Sequence, residues 1–175
     1  DTLGSMNNVA ILYDSQGEYG MALKLHEECL KMRKAVLGEI HPDTLASMNN
    51  LASYFLKQGE YAKALSLYEQ CLSSSRVVLG EKHPDTLTSM NNLSILYLTK
   101  GEYGNALPLS EDCLRMRKVV LGENHPETLR SMSNLACLYE NQGECAKALQ
   151  LYEECLRMRK VVLGENHPET LRSIH

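Results

Sequence analysis

Several features that would point to a membrane, nucleic-acid-binding or β-sheet protein are missing from this sequence. No apolar run approaches the length of about 18 residues that a membrane-spanning helix needs, and no segment has the form of a secretory signal peptide. The net charge is only −4, so we expect no bulk electrostatic attraction to nucleic acid or to an anionic membrane. Alternating apolar and polar runs and the Asn-Gly or Asp-Gly turns of β-hairpins are absent as well.

Motifs that carry catalysis are also missing. The sequence contains no Cys-x-x-Cys pair, no phosphate-binding Walker loop, no Gly-x-Ser-x-Gly elbow and no His-Glu-x-x-His zinc motif. We therefore predict that the chain is not an enzyme and that it uses no cofactor.

What the sequence has instead is a repeat of 42 residues. The segment His-Pro-Asp-Thr-Leu at 41–45 recurs at 83–87, and with Glu for Asp at 125–129 and 167–171. A fixed period of roughly 20 to 50 residues is the signature of a stacked array, in which each unit buries its apolar face against its neighbours. We expect a single array over residues 1–175, consisting of repeats 1–42, 43–84, 85–126 and 127–168 and a partial repeat 169–175.

Each repeat has the pattern of two helices. After His41, a predicted N-cap, and Pro42, which suits a first helical position, apolar residues recur at spacings of three and four. Gly59 predicts a left-handed C-terminal cap, and a second apolar helical face follows it as far as Gly80. The pattern predicts a helix of about 15 residues, a tight turn and a helix of about 20 residues.

The large and small residues of each predicted helix pair resemble the tetratricopeptide repeat. In repeat 43–84 the matching residues are Met48, Leu51, Ala52, Phe55, Gly59, Tyr61, Ala64, Tyr68 and Cys71. Met replaces the usual Trp, Cys replaces the last Ala, and the repeat is longer than the usual length of about 34 residues. This longer form, with its Leu-Gly-Glu-x-His-Pro-Asp-Thr turn, resembles the repeats of the kinesin light chain. HEAT and armadillo repeats have a similar period but lack the Gly-x-Tyr-x-x-Ala segment.

The resemblance implies an all-α fold, a right-handed α-solenoid, in which the first helices of successive repeats line a concave groove for extended peptides. In this family Asn side chains on those helices hold the peptide backbone. The matching residues are Asn8, Asn50, Asn92 and Asn134, and Asn7, Asn49 and Asn91 lie beside them. An amide is both donor and acceptor, so it can pair with any peptide bond. In the alternative interpretation, one Asn of each pair ties neighbouring helices together.

Charged groove positions give a weaker indication of ligand type. Arg130 and Arg172 occupy such positions and would favour an acidic peptide segment through carboxylate pairing, although ordinary surface arginines would look the same. The basic pairs near the end of the second helices are interpreted as part of a solvated helix face. These pairs are Arg33-Lys34, Arg117-Lys118 and Arg159-Lys160.

The repeated cysteines and histidines are interpreted as structural. Cys29, Cys71, Cys113 and Cys155 lie one repeat apart, beyond disulfide reach, and are predicted to be buried free thiols. Such thiols suit a reducing compartment, which favours a cytoplasmic location. Cys137 and Cys145 do not recur in the other repeats, and the sequence does not decide whether they form a disulfide with each other. The histidines of the repeated turns lie too far apart to share a metal ion, so we predict helix caps at His41, His83, His125 and His167.

Two functions remain open on the sequence. The first is a protein-interaction scaffold that binds a peptide or protein partner in the groove. The second is a structural rod or spacer that self-associates head to tail, because no polar capping segment is visible at either end of the array. Since the sequence starts and stops within repeats, we expect it to be a piece of a longer array.

Overall fold

A computed structural model of the chain describes residues 2–165 and Thr170. Its described part contains helices and no strand, which confirms the predicted all-α fold of helix-turn-helix repeats. The helices are α1 Thr2–Ser15, α2 Tyr19–Leu37, α3 Pro42–Lys57, α4 Tyr61–Val78, α5 Pro84–Thr99, α6 Tyr103–Val120, α7 Pro126–Asn141 and α8 Cys145–Leu163. First helices have 14 to 16 residues and second helices 18 or 19. None of the described helices is both long and apolar enough to cross a membrane.

The histidine of the repeated turn caps the helix that follows it. In α3 the backbone of His41 is extended, and its Nδ1 accepts a hydrogen bond from the Asp43 N–H at 3.2 Å. His83 and His125 accept the corresponding bond at the same distance of 3.2 Å. The predicted caps are thus confirmed at three sites, and His167 lies outside the described residues.

The turn within each repeat is closed by a left-handed glycine. Gly59 has φ +77, and its N–H donates to Leu56 O at 3.1 Å while the Glu60 N–H donates to Phe55 O at 2.9 Å. These paired bonds form a Schellman motif, which supplies donors to the last carbonyls of the helix. The predicted cap is confirmed, and the same geometry recurs in the other three repeats, at Gly17, Gly101 and Gly143.

The chain divides into two compact units, Asp1–Leu96 and Tyr97–His175, within which most residue contacts lie. They are called here the N-terminal and C-terminal units. In the N-terminal unit α1 packs on α2, α2 on α3 and α3 on α4. Ala52 and Ala64 are fully buried there, as expected of small residues where two helices approach closely. In the C-terminal unit, α6 and α8 both pack against α7. Met132 and Leu135 of α7 are part of its buried core.

Candidate functional site

The paired asparagines of the N-terminal unit connect successive first helices. The amide Nδ2 of Asn50 donates to Oδ1 of Asn7 at 2.9 Å, which joins α3 to α1. Nδ2 of Asn49 donates to Oγ of Ser89 at 2.8 Å, which joins α3 to α5. Both amides keep further donor or acceptor capacity, so these ties leave peptide binding by the same side chains as a prediction.

The remaining candidate asparagines differ in exposure. Asn8 is exposed, Asn92 and Asn134 are half-buried, and Asn91 is buried. The side chain of Asn92 makes no hydrogen bond within the part of the chain that the structure describes, and it borders a cavity shared with Asn50. Asn92, like the exposed Asn8, therefore keeps its full hydrogen-bonding capacity, and unlike Asn8 it borders this cavity.

Two arginines of the repeated basic pairs, Arg33 and Arg117, are buried, which corrects the prediction of a solvated face for them. Arg117 is 0% exposed and Arg33 is 6% exposed. Their guanidinium groups reach acceptors on the next helix, which the spacing of charges along their own helix could not reveal. Arg33 Nη1 donates to Asp43 O at 2.8 Å and to Ser47 Oγ at 2.9 Å.

Arg117 makes the same contacts in the C-terminal unit and adds an ion pair. Its Nη1 donates to Glu127 O and to Ser131 Oγ, both at 2.8 Å, and its Nη2 lies 3.0 Å from Glu127 Oε2. Burial lowers the pKa of the Arg117 guanidinium, while Cys113 and Glu127 act in the opposite direction. In both units an arginine thus fastens a second helix to the first turn of the next helix.

The second repeat lacks this arginine. Ser75 stands where Arg33 and Arg117 stand in their repeats, 42 residues away on either side, and it is buried. Beside Ser75 lies a cavity of about 130 Å³ between α3, α4 and α5. The polar residues that line it are Asn49, Asn50, Ser75, Asp85, Thr88 and Asn92.

Local side chains serve the carbonyl and the hydroxyl that an arginine serves in the sister repeats. The hydroxyl of Ser89 donates to Asp85 O at 3.1 Å and accepts from Asn49, whereas Ser47 and Ser131 accept from an arginine. Oδ1 of Asn49 is left buried without a hydrogen-bond donor. The residues that line the cavity therefore include one buried acceptor, Asn49 Oδ1, that has no partner within the described part of the chain.

The repeated cysteines are buried, as predicted. Cys29 and Cys71 each donate through Sγ to a backbone carbonyl at 3.3 Å, Leu3 O and Leu45 O respectively. Burial raises the pKa of the Cys71 and Cys113 thiols, which keeps them protonated and poorly nucleophilic. All six cysteines are free, so the disulfide that the sequence left open between Cys137 and Cys145 is not formed.

Other candidate sites contain fewer converging groups. Arg130 pairs with Glu127 of its own helix, with Nη2 and Oε2 2.6 Å apart, so any acidic peptide would compete with that carboxylate. Arg172 lies outside the described residues. Among residues 2–165 and Thr170, no three His, Cys, Asp or Glu side chains are grouped as a metal site requires.

Comparison with protein families identifies the repeat. A model of the tetratricopeptide repeat matches residues 1–76, 54–118 and 97–161, which together cover most of the chain. No curated protein matches the sequence.

Solved structures show the same fold. The chain is similar to the nearly identical TPR-like repeats of a candidate kinesin light chain of Podosopora anserina, with a TM-score of 0.82 and 28% identity, over 98% of this chain and 82% of that one. A substituted variant of that protein gives a TM-score of 0.83 at 28% identity, covering 98% and 81% of the two chains. BtubC (BKLC) of P. vanneervenii shares the fold at 24% identity and a TM-score of 0.79, over 95% of this chain and 66% of that one.

Proposed function

Because the chain belongs to the tetratricopeptide repeat family, whose repeats are generally non-catalytic scaffolds for protein interactions, we propose that it binds an extended peptide along its first helices. We further propose that residues 1–175 act as one array. The observation that carries the peptide proposal is the position of Asn50 and Asn92 at one cavity of the N-terminal unit. Both amides can pair with a peptide backbone whatever its sequence.

The hydrogen bonds support different roles for the two asparagines of a pair, one connecting helices and the other binding peptide. Asn7 and Asn49 connect neighbouring first helices through their hydrogen bonds with Asn50 and Ser89. Asn92 has no such bond to lose. Asn92→Ala therefore separates peptide binding from helix connection better than Asn50→Ala, which also removes the bond to Asn7.

The test is a random-peptide display screen on the parent chain, followed by titration of the enriched peptides against variants. We expect Asn92→Ala to weaken binding about tenfold, the effect of losing one or two hydrogen bonds to the peptide backbone, with unchanged helical circular dichroism. Asn105→Ala, an exposed asparagine on the second helix α6, is the control and should bind like the parent. Equal binding by Asn92→Ala and the parent would show that the asparagines serve only the fold.

Exposed apolar residues on α1 support head-to-tail self-association as a second candidate. Leu12 is 59% exposed, whereas the residues at the same place in the other repeats, Tyr54, Leu96 and Leu138, are 0 to 6% exposed. A helix face that is buried in every later repeat can accept a further repeat of the same kind, from the same chain or from another copy.

Light scattering over a hundredfold range of concentration tests this second candidate. We expect the mass to rise with concentration in the parent and to stay monomeric in Leu12→Glu. Val77→Glu is the control, because Val77 is 85% exposed and its counterparts Val119 and Val161 are exposed as well. A constant monomeric mass of the parent chain would exclude self-association.

A further inference from the structure

The cavity beside Ser75 lies where the second repeat lacks the arginine of its sister repeats. In the first and third repeats an arginine reaches the corresponding place from the second helix, with its guanidinium between a first-turn carbonyl and a serine hydroxyl. In the second repeat the same carbonyl and hydroxyl belong to Asp85 and Ser89, where Ser89 donates to the carbonyl and accepts from Asn49 in place of a guanidinium. The sister repeats thus show which chemical group this position accommodates.

The polar groups at the cavity match a guanidinium ligand. Asn49 Oδ1 is a buried acceptor without a donor among the described residues, and the Ser89 hydroxyl, which accepts from Asn49, has a second lone pair. The carboxylate of Asp85 supplies negative charge at the rim, where 66% of that side chain is exposed. A guanidinium carries five N–H donors in a planar fork, so it can serve several such acceptors at once, which a lysine ammonium does less well.

Size and access agree with this assignment. The volume of about 130 Å³ is close to that of a cavity of roughly 150 Å³ that holds a benzene molecule, and a guanidinium is smaller than benzene. Asn50, Thr88 and Asn92 border the cavity and are only half-buried. A side chain can therefore enter from the same face that carries the amides assigned to peptide binding.

We propose that this cavity binds the guanidinium group of an arginine in a bound peptide, in the place that Arg33 and Arg117 occupy in the other repeats. This inference rests on the proposed peptide-binding function and adds a preferred residue to it. The proposal also explains the serine at position 75. Because serine is smaller than arginine, it leaves the cavity of the second repeat free for the arginine of a peptide.

The first test uses a probe that does not need the whole groove. N-acetyl-arginine amide is titrated into the ¹⁵N-labelled chain, with N-acetyl-citrulline amide as the uncharged control of the same shape. We expect the arginine derivative to shift amide signals around residues 75 and 85–92, and the citrulline derivative to bind about tenfold more weakly, since hydrogen bonds to charged groups are the stronger ones. Equal binding of both derivatives, or shifts spread over the whole chain, would overturn the proposal.

Variants place the arginine site within the second repeat. Ser75→Arg supplies the guanidinium from within, as the sister repeats do, and should abolish binding of the arginine derivative. Ser73→Arg adds the same charge on the exposed face of α4 and should leave binding within about twofold. If Ser75→Arg lowers the thermal midpoint, Asp85→Asn is an independent test of the site. It removes the negative charge at the rim of the cavity and should weaken binding of the arginine derivative several-fold. Parent-like binding by Ser75→Arg and Asp85→Asn would refute the site.

Failure of this site and failure of the peptide groove give different results. Peptides that bind the parent and Ser75→Arg equally well, with no response to the arginine derivative, would retain the groove and exclude the arginine site. A response to the arginine derivative that Ser75→Arg abolishes, without enrichment of any peptide, would retain the guanidinium site and exclude the groove.

Discussion

The guanidinium of Arg117 lies 2.8 Å from the backbone carbonyl oxygen of Glu127, and the same side chain also pairs with the Glu127 carboxylate. A second helix is thereby fastened to the first turn of the following helix through both the backbone and the side chain of one residue. Because Arg117 is fully buried, these contacts are shielded from water and count for more than a surface ion pair.

Arg117→Ser, which copies the natural residue at position 75, should destabilise the C-terminal unit. It removes hydrogen bonds from a charged donor to Glu127 and Ser131 and opens a cavity, so we expect the free energy of unfolding to fall by about 2 to 3 kcal/mol. Urea unfolding followed by circular dichroism measures this change.

Arg115→Ser is the control for that variant. Arg115 is exposed and, among the described residues, pairs with Asp112 alone, three residues earlier on the same helix, so its loss should cost less than about 1 kcal/mol. Equal destabilisation by the two variants would mean that burial of Arg117 does not strengthen its contacts.

His26 should make stability depend on pH. It is 3% exposed, its Nδ1 has no hydrogen-bond partner, and burial lowers its pKa, with Asp14 opposing and Lys57 reinforcing that effect. The unfolded chain therefore binds a proton more readily than the folded one. The contribution of His26 is fully present above its unfolded pKa of about 6.5 and is lost as pH falls through the lower folded pKa.

His26→Tyr tests the origin of that pH dependence. Tyrosine is the natural residue at this place in two other repeats, at Tyr68 and Tyr152, and it carries no proton that titrates near neutral pH. We expect the free energy of unfolding of the parent to fall more steeply than that of His26→Tyr as the pH drops below about 6.5. The capping histidines are common to both proteins, so parallel pH profiles would rule out His26 as the cause.

The sequence was sufficient for the parts of this fold that short-range rules determine. A histidine cap at His41, a left-handed turn at Gly59 and a buried thiol at Cys71 depend on neighbouring residues and on helical spacing, and the structure confirms each of them. The burial of Arg33 depends on acceptors in the next repeat, at Asp43 and Ser47. Helical periodicity places Arg33 beside Lys34 but gives no sign of these partners.

One signal in the sequence could have found the cavity. Ser47, Ser89 and Ser131 recur at one place. The arginine that meets this serine in the first and third repeats is at 33 and 117, and position 75 of the second repeat carries a serine instead. In the second repeat the serine, Ser89, lacks its usual arginine donor and accepts from Asn49 instead. Recognising this requires knowing that the two positions touch across the repeat boundary, which only the structure provides.

The cysteines should differ sharply in reactivity in the folded chain. Cys145 is exposed, whereas Cys71 and Cys113 are buried and burial raises the pKa of both thiols. We expect iodoacetamide at neutral pH to label Cys145 first and to reach Cys71 and Cys113 only after unfolding. Mass spectrometry of digested samples, with and without urea, measures the order. Early labelling of Cys71 under native conditions would contradict the packing described for it.

Two glycines of the third repeat should respond to alanine in opposite directions. Gly101 has φ +74, where a Cβ is strained, so Gly101→Ala should lower the free energy of unfolding by about 1 kcal/mol or more. Gly104 lies within α6, a Cβ there would meet nothing within 4 Å, and two of its three counterparts are alanines, Ala62 and Ala146.

Gly104→Ala should therefore raise the free energy of unfolding by about 0.5 kcal/mol, because alanine loses less backbone entropy than glycine on forming a helix. The midpoints of urea unfolding measure both effects. If the m-value is unchanged, a shift in the midpoint reports a change in stability and not in the compactness of the unfolded or folded state. Destabilisation by both alanines would show that the start of α6 needs glycine for a reason other than backbone conformation. Stabilisation by both would contradict the left-handed cap at Gly101.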